Sequence, residues 1–353
     1  MEGKNMKTLV VDERGQLSVR ETAIPVYGDY QALVKTISCG VCNGTDAKLI
    51  HGQFKGFEYA RDYPLMLGHE GVGRVVAVGA KVTGYKIGDA VLLPFADARE
   101  GLNSGWGAYS EYGVVSDAKA LAEAGLAPGG PDFPESAFAQ GVVPPDIDPV
   151  DAAMIITLRE VLSSIKTFGM RENQSVAIFG CGPVGMTFIR FMSLLGVNPI
   201  IAFDIDDAKL QTALSNGAAY AYNSKNTGAV ARVREICPGG VDYVVDAVGM
   251  LGLINQGFEL IRDRGKICCY GISPKCSAEL DWSKAPYNWS LCFQQMPSKR
   301  EEGEAYAQIL AWLRSGAISL KDYISDYVDF ENILDAFKKL EKREIAGKCV
   351  IRY

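Results

Sequence analysis

Apolar and polar positions divide the chain into three stretches with different periods. In the first third, short apolar runs alternate with glycine-bearing turns. Thr8-Leu9-Val10-Val11, Ala32-Leu33-Val34-Lys35-Thr36 and Gly73-Arg74-Val75-Val76-Ala77-Val78 carry the β-branched residues that suit strands, as does Ala90-Val91-Leu92-Leu93 after the turn Lys86-Ile87-Gly88-Asp89. The frequent glycines fit a small β-barrel. In the middle third, strand-like runs at Val176–Phe179 and residues 200–203, 243–247 and 266–270 alternate with helical spacing. Val184, Phe188, Phe191 and Leu195 fall at i, i+4, i+7 and i+11, one face of a helix. Such alternation predicts a doubly wound parallel sheet. From about Ser298, a charged helix over 300–314 ends at the glycine stop Leu313-Arg314-Ser315-Gly316, followed by a helix over 330–343 and a strand over 349–352. Residues 118–145, rich in Pro, Gly and Ala, read as a long loop. Such a loop is either a surface insertion or a part of a substrate site or subunit contact.

Composition narrows the partners. A length of 353 residues suits two domains, and 48% apolar residues supply a large core. A net charge of −6 gives no reason to expect nucleic acid or an anionic membrane. Charges interrupt the first residues, so no targeting segment is expected, and the apolar stretch 176–203 is broken by Arg190 and glycines, unlike a membrane span. Nine scattered cysteines, an odd number, point to reduced thiols and a cytoplasmic protein. With His51 and His69 as the two histidines, imidazole chemistry has few candidates.

Gly180-Cys181-Gly182-Pro183-Val184-Gly185 has the form G-x-G-x-x-G, between a predicted strand and an amphipathic helix. In that setting Gly180 makes the tight turn, Gly182 lets the backbone approach a pyrophosphate, and Gly185 lets helix and strand pack closely. The helix N-terminus, with Pro183 and Val184 in its first turn, offers N–H groups and a positive dipole end to phosphate. Asp204 closes the next strand, where an acid accepts from the adenosine ribose hydroxyls and repels a 2′-phosphate; Asp206 and Asp207 add negative charge. NAD is therefore expected over NADP. The alternative is a structural glycine turn with a surface aspartate.

Two clusters in the first third carry metal-binding types: Cys39-Gly40-Val41-Cys42-Asn43-Gly44-Thr45-Asp46 and Gly68-His69-Glu70-Gly71-Val72-Gly73. A catalytic zinc needs three protein ligands and one open position. The C-x-x-C spacing alone also allows a redox pair or a structural zinc, but no second C-x-x-C completes a four-cysteine site.

These clusters, with "VTGYKIGD" at 82–89, "GAYSEYGVV" at 107–115, the glycine fingerprint and the C-terminal helix and strand, make the chain resemble the zinc-containing medium-chain alcohol dehydrogenase family, of the sorbitol and threonine dehydrogenase type. The resemblance implies an α/β protein, with a GroES-like β-barrel catalytic domain (residues 1–149), a Rossmann domain with a doubly wound parallel sheet (150–295) and a C-terminal segment (296–353) completing the catalytic domain. It implies zinc-dependent hydride transfer between a secondary alcohol (a polyol, cyclitol or sugar derivative) and NAD, in a cleft between the domains. Carried over by position, Cys42 and His69 ligate one catalytic zinc. Thr45 holds the substrate hydroxyl and starts its proton relay, Asp46 orients His69, and Glu70 sits beside the metal as an alternate ligand. Val248 joins the cofactor contacts. His51 is a candidate to extend the relay or bind substrate, the alternative being a structural or surface histidine. Lys348 is a candidate partner for Asp46 or an ordinary surface lysine. Tyr59 and Trp106 are candidates for the substrate cleft or for core packing. Cys268 and Cys269 are expected to be buried.

The sequence departs from the family pattern in three places. Asn43-Gly44 adds one residue between Cys42 and Thr45, which Gly44 is expected to absorb in a bulge. The usual third-ligand position falls on Ile156, leaving Glu160, one helical turn on, or Glu70 as the substitute. Residues 95–107 lack the cysteines of a structural zinc lobe, so none is expected. Two other readings remain: a zinc-free quinone or enoyl reductase using NAD(P)H, and a non-catalytic NAD-binding protein. A homodimer or homotetramer is expected, with the strand-like run 290–296 at the sheet edge.

Overall fold

A computed structural model describes residues 5–53, 62–130, 132–273, 275–345 and 347–353. The chain divides into two compact units. One comprises Met1–Arg159 and Ser298–Tyr353, and the other Glu160–Pro297.

Among the described residues, the first unit contains a four-stranded and a six-stranded sheet. The smaller runs in the order Leu17–Ala23, Asn5–Val11, Leu65–Met66, Asn103–Ser104. The larger runs Ile324–Asp329, Lys348–Arg352, Gln31–Gly40, Glu70–Val78, Ala90–Leu92, with Tyr112–Ser116 also paired to Gln31–Gly40. Backbone joins the two sheets: Leu9 N donates to Tyr109 O (2.9 Å), and Thr36 N to Glu111 O (2.9 Å). Ala32, Val34, Val75, Val91 and Val115 form one core cluster inside the larger sheet. The C-terminal strand Lys348–Arg352 lies against Gln31–Gly40, with Val350 opposite Gly40 and Ile351 opposite Cys39. The end of the chain therefore delivers Lys348 to the segment that carries the cysteine cluster.

In the second unit all pairings of the six-stranded sheet are parallel. The order is Tyr220–Asn223, Ile200–Asp204, Val176–Phe179, Val241–Asp246, Ile261–Cys269, Trp289–Phe293. Numbered within the unit this is 3-2-1-4-5-6, the doubly wound dinucleotide-binding order. Val176–Phe179 is central and buried at every position, which is why it reads as an unbroken apolar run. Cys268 and Cys269 are buried.

Several local expectations change. Residues 118–145 are not one loop: Ala118–Glu123 is a helix and Glu135–Ala139 a 3-10 helix. Asp117 caps the first by accepting from Ala120 N, and its other oxygen accepts from Thr83 N and Gly84 N at 2.7 and 2.6 Å. Leu121, Phe133 and Ala137 then bury together. The charged helix is Lys299–Arg314, started by a capping box between Ser298 and Glu301 and followed by Gly316 at φ 73°. The expected helix over 330–343 is a 3-10 turn, Phe330–Asn332, leading into Ile333–Glu341. Among the described residues, no helix is long and apolar enough to cross a membrane.

Candidate metal and dinucleotide sites

The cysteine cluster sits where the strand Gln31–Gly40 gives way to the helix Asn43–Ile50. Cys42 is the N-cap of that helix, and Asp46 N donates to Cys42 O at 2.8 Å. The extra residue before Thr45 is therefore absorbed into the first helical turn, not into a bulge. Thr45 Oγ1 still lies against the sulfur, 3.5 Å from Cys42 Sγ. His69 and Glu70 come from the start of the strand Glu70–Val78, whose Glu70 pairs in register with Gly40. A Cβ on Gly40 would collide with Glu70 Oε2, so a side chain there would displace the carboxylate.

Donor atoms of Cys42, His69 and Glu70 all lie within 4.8 Å of one another, and among the described residues this is the one such group of three. Thiolate, imidazole and carboxylate are zinc ligand types. Two buried atoms beside them, Asp46 Oδ1 and His69 Nδ1, lack a hydrogen-bond partner and face each other at 3.7 Å, while Glu70 Oε2 is held by the Lys348 ammonium. Buried polar atoms without partners are rare, and an ion is one of the ordinary explanations. The residues present thus fit a divalent zinc.

Around this trio the charges are tightly arranged. Burial would favour a neutral His69, but the hydrogen bond and charge of Cys42 and the carboxylates of Asp46 and Glu70 raise its pKa to about 10. Burial raises Asp46, and it outweighs His69 and the Tyr109 hydrogen bond, which both lower it. Burial also acts upward on Glu70, but Lys348, His69 and a hydrogen bond from Thr157 hold its carboxyl below the usual range. Lys348 Nζ lies 2.6 Å from Glu70 Oε1 and 2.5 Å from Oε2. Its ion pair is thus with Glu70, in place of the bridge to Asp46 that position had suggested. Thr157 Oγ1 donates to Glu70 Oε1 at 3.0 Å.

Glu160 is not in the metal-binding trio. Ile156, at the usual ligand position, is buried, and the next residue, Thr157, reaches the carboxylate. Glu160 lies three residues further, about 4.5 Å along the helix axis, and belongs to the second unit. Its backbone carbonyl accepts from Ser163 and Ser164. His51 is exposed at the C-cap of the helix Asn43–Ile50. Trp106 stands with its ring 5.1 Å from that of His69. Tyr59 lies outside the described residues.

Sequence reasoning missed Tyr109 and Thr157. Tyr109 is fully buried and donates its hydroxyl to Asp46 Oδ2 at 2.7 Å. The segment "GAYSEYGVV" contained it, but nothing in the sequence showed that its hydroxyl reaches Asp46.

In the second unit, the strand Val176–Phe179 runs through Gly180 into the helix Pro183–Leu194, with Gly182 as N-cap and Pro183 in the first turn. Gly180 has φ 97°, and a Cβ there would meet Val248 Cγ2 at 2.7 Å. At Gly185 a Cβ would collide with Gly180 O, so helix and turn touch through backbone. At Gly182 nothing lies within 4 Å of a Cβ, which leaves open space in front of the helix N-terminus, where no side chain caps it. That cradle fits a pyrophosphate. Asp204 closes the strand Ile200–Asp204, its Oδ2 accepting from Cys181 N at 2.6 Å and its Oδ1 from Ile205 N and Asp206 N. The acid is thereby anchored to the glycine turn. Val248 is half exposed beside Gly180.

Two family models match the chain, and together they span more than half of it. The alcohol dehydrogenase GroES-like domain matches residues 28–124, and the zinc-binding dehydrogenase model matches residues 183–305. An alcohol dehydrogenase of Geobacillus stearothermophilus is 26% identical over 368 residues, covering 98% of this chain and 99% of the relative. A sorbitol dehydrogenase of Bacillus subtilis (strain 168) is 22% identical over 349 residues, covering 95% of this chain and 94% of the relative. Among solved structures, a protein of E. coli CFT073 described as a short chain alcohol dehydrogenase, complexed with NADH, superposes with a TM-score of 0.79. It is 22% identical, with 99% of this chain and 100% of that one covered.

Proposed function

The chain belongs to the zinc-type medium-chain alcohol dehydrogenase family, and from that membership we propose that it oxidises a secondary alcohol with NAD, using one zinc ion. The observation that carries this reading is the grouping of Cys42, His69 and Glu70 donor atoms within 4.8 Å. Those three side chains would hold the metal. Zinc held there would supply a Lewis acid that lowers the pKa of an alcohol substrate, or polarises a ketone in the reverse direction.

The remaining residues bind, orient and move protons. Thr45 Oγ1, beside Cys42 Sγ, accepts the proton of the substrate hydroxyl as it passes its own proton onward. His51, exposed at the far end of the same short helix, is the solvent end of that relay, with water bridging the roughly 9 Å along the helix axis from Thr45. Asp46 turns His69 through the Nδ1 side of its ring, where Oδ1 stands 3.7 Å away. Lys348 and Thr157 hold Glu70 in its ionised form.

Gly180, Gly182, Pro183, Val184 and Gly185 receive the pyrophosphate, and Val248 packs beside the cofactor. Asp204 accepts from the adenosine ribose hydroxyls and, with Asp206 and Asp207 behind it, disfavours a 2′-phosphate. NAD is accordingly the cofactor proposed. A polyol, cyclitol or sugar derivative is the substrate class, supported by the match to a sorbitol dehydrogenase. A homodimer or homotetramer in the cytoplasm completes the reading. Nine free cysteines support the reducing compartment, and the strand Trp289–Phe293 at the sheet edge, with Phe293 half exposed, supports subunit pairing.

The test combines metal analysis with a panel of secondary alcohols and polyols, read by cofactor reduction. One zinc per chain is expected, with NAD preferred over NADP, and loss of both metal and turnover in Cys42→Ser. Full activity in metal-free protein, or turnover confined to NADPH and activated double bonds, would overturn the proposal in favour of a zinc-free reductase.

A further inference from the structure

We propose that Tyr109 is a positioning residue of the metal site: its hydroxyl fixes the Asp46 carboxylate, and the fixed carboxylate aims the His69 ring. The inference rests on the reading that Cys42, His69 and Glu70 hold a metal. It adds to that reading a residue 63 positions from Asp46 in sequence that sets how tightly they do so.

The two oxygens of Asp46 are used differently. Oδ2 accepts two hydrogen bonds, from Tyr109 Oη at 2.7 Å and from Cys42 N at 3.1 Å. Oδ1 has no hydrogen bond and faces His69 Nδ1 at 3.7 Å, an atom that also has none. The plane of the carboxylate is therefore set from the Oδ2 side. With the hydroxyl gone, the Cys42 amide alone would leave the group free to turn about that single contact, and Oδ1 would lose its aim at the imidazole.

Tyr109 is itself held firmly enough to act as a reference. Its backbone is tied on both sides, by Leu9 N donating to its carbonyl and by its own N–H donating to Leu67 O, each at 2.9 Å. Its ring meets Phe337 edge-on at 5.8 Å. It also packs closely against Gly68, the residue before His69, where a Cβ would come within 2.7 Å of the tyrosine ring. The one residue thus packs against the chain that carries the histidine and bonds the acid that orients it. The hydroxyl also lies 3.2 Å from Gly40 O, at the end of the strand that leads to Cys42. Groups that orient metal-binding histidines characteristically change affinity without being ligands.

Tyr109→Phe removes the hydroxyl and keeps the ring. In the full-length protein, zinc affinity read by competition with a chelator is expected to fall about 10–100-fold. The visible bands of the cobalt-substituted protein should shift, since they report the geometry at Cys42 and His69. NAD affinity should stay at the wild-type value. In an Asp46→Ala background the same substitution should cost no further affinity, because its effect passes through the carboxylate. Phe337→Leu loosens the ring's packing but leaves the hydroxyl, so it should lower Tm and spare zinc affinity. Equal losses of affinity in Phe337→Leu and Tyr109→Phe, or wild-type affinity and cobalt bands in Tyr109→Phe, would reduce Tyr109 to core packing. A wild-type protein that binds neither zinc nor cobalt would instead defeat the metal reading itself.

Discussion

Trp106 adopts φ 68°, a left-handed conformation that bulky residues avoid, while its indole stands 5.1 Å from the ring of His69. The neighbouring backbone is fixed on both sides: Gly107 follows at φ 70°, Ala96 N donates to Trp106 O at 2.9 Å, and Ala108 N donates to Gly68 O at 2.8 Å. Such strain costs of order 1–3 kcal/mol and is tolerated where surrounding contacts over-determine it. Glycine at this position would relieve it and alanine would not. Trp106→Gly should therefore melt above Trp106→Ala, by the equivalent of about 1 kcal/mol. Thermal denaturation of the two variants decides this, and an alanine variant at least as stable as the glycine one would show that the backbone is unstrained. At this scale the sequence discloses residues whose chemistry is written in their type. Cys42, His69 and Glu70 could be picked out as ligand types, and Asp204 by its place after a strand. Tyr109 and Thr157 could not, since their roles depend on partners 63 and 87 positions away. Lys348 was singled out, but which of two neighbouring carboxylates it would meet depended on strand register.

Among elements, the strand–turn–helix of residues 176–194 was the most legible, because an apolar run, a glycine fingerprint and a helical stripe all demand the same structure. Its three glycines differ in what they exclude. A methyl at Gly182 would enter open space, whereas one at Gly185 would strike the carbonyl of Gly180. Gly182→Ala is expected to keep the wild-type Tm without cofactor yet bind NAD at least about tenfold more weakly, since the methyl occupies the approach of the pyrophosphate. Gly185→Ala should instead destabilise the fold by about 1–3 kcal/mol, as overpacking does. Melting curves and cofactor titrations separate the two effects, and wild-type NAD affinity in Gly182→Ala would remove the phosphate from this cradle. Elements with weaker patterns were missed. Tyr220–Asn223 and Ile324–Asp329 are outer strands of their sheets with no fully buried position, so neither shows an apolar run. Ala118–Glu123 was hidden by the prolines and glycines after it, although Asp117 was there to cap it.

For the molecule as a whole, two architectures in one chain were visible from the change of period along the sequence. The strand order of the parallel sheet was not, because spatial neighbours are chosen by crossover handedness and packing, not by local pattern. The nine free cysteines give this molecule a further property. Burial, joined by the charge of Asp204, pushes the Cys181 thiol up to about 12; burial, joined by Asp246, does the same to Cys269. In the unfolded chain both would titrate near 9. Between those values the folded state keeps protons that the unfolded state releases, so raising the pH favours unfolding. The contribution is complete below about 9 and lost by about 12. Buried Cys39 and Cys268, whose thiols are also pushed up chiefly by burial, act with the same sign. Tm should therefore decline as pH rises above about 9, and the decline should be shallower in Cys181→Ala and shallower again with Cys269→Ala added. An unchanged slope in the double variant would show that these thiols do not govern alkaline stability. Exposed Cys276 supplies the contrast, because nothing shields it. In the native protein a thiol reagent should label Cys276 fast and Cys181 and Cys269 only at the rate of local opening, so that labelling kinetics and the alkaline Tm slope report the same burial by independent means.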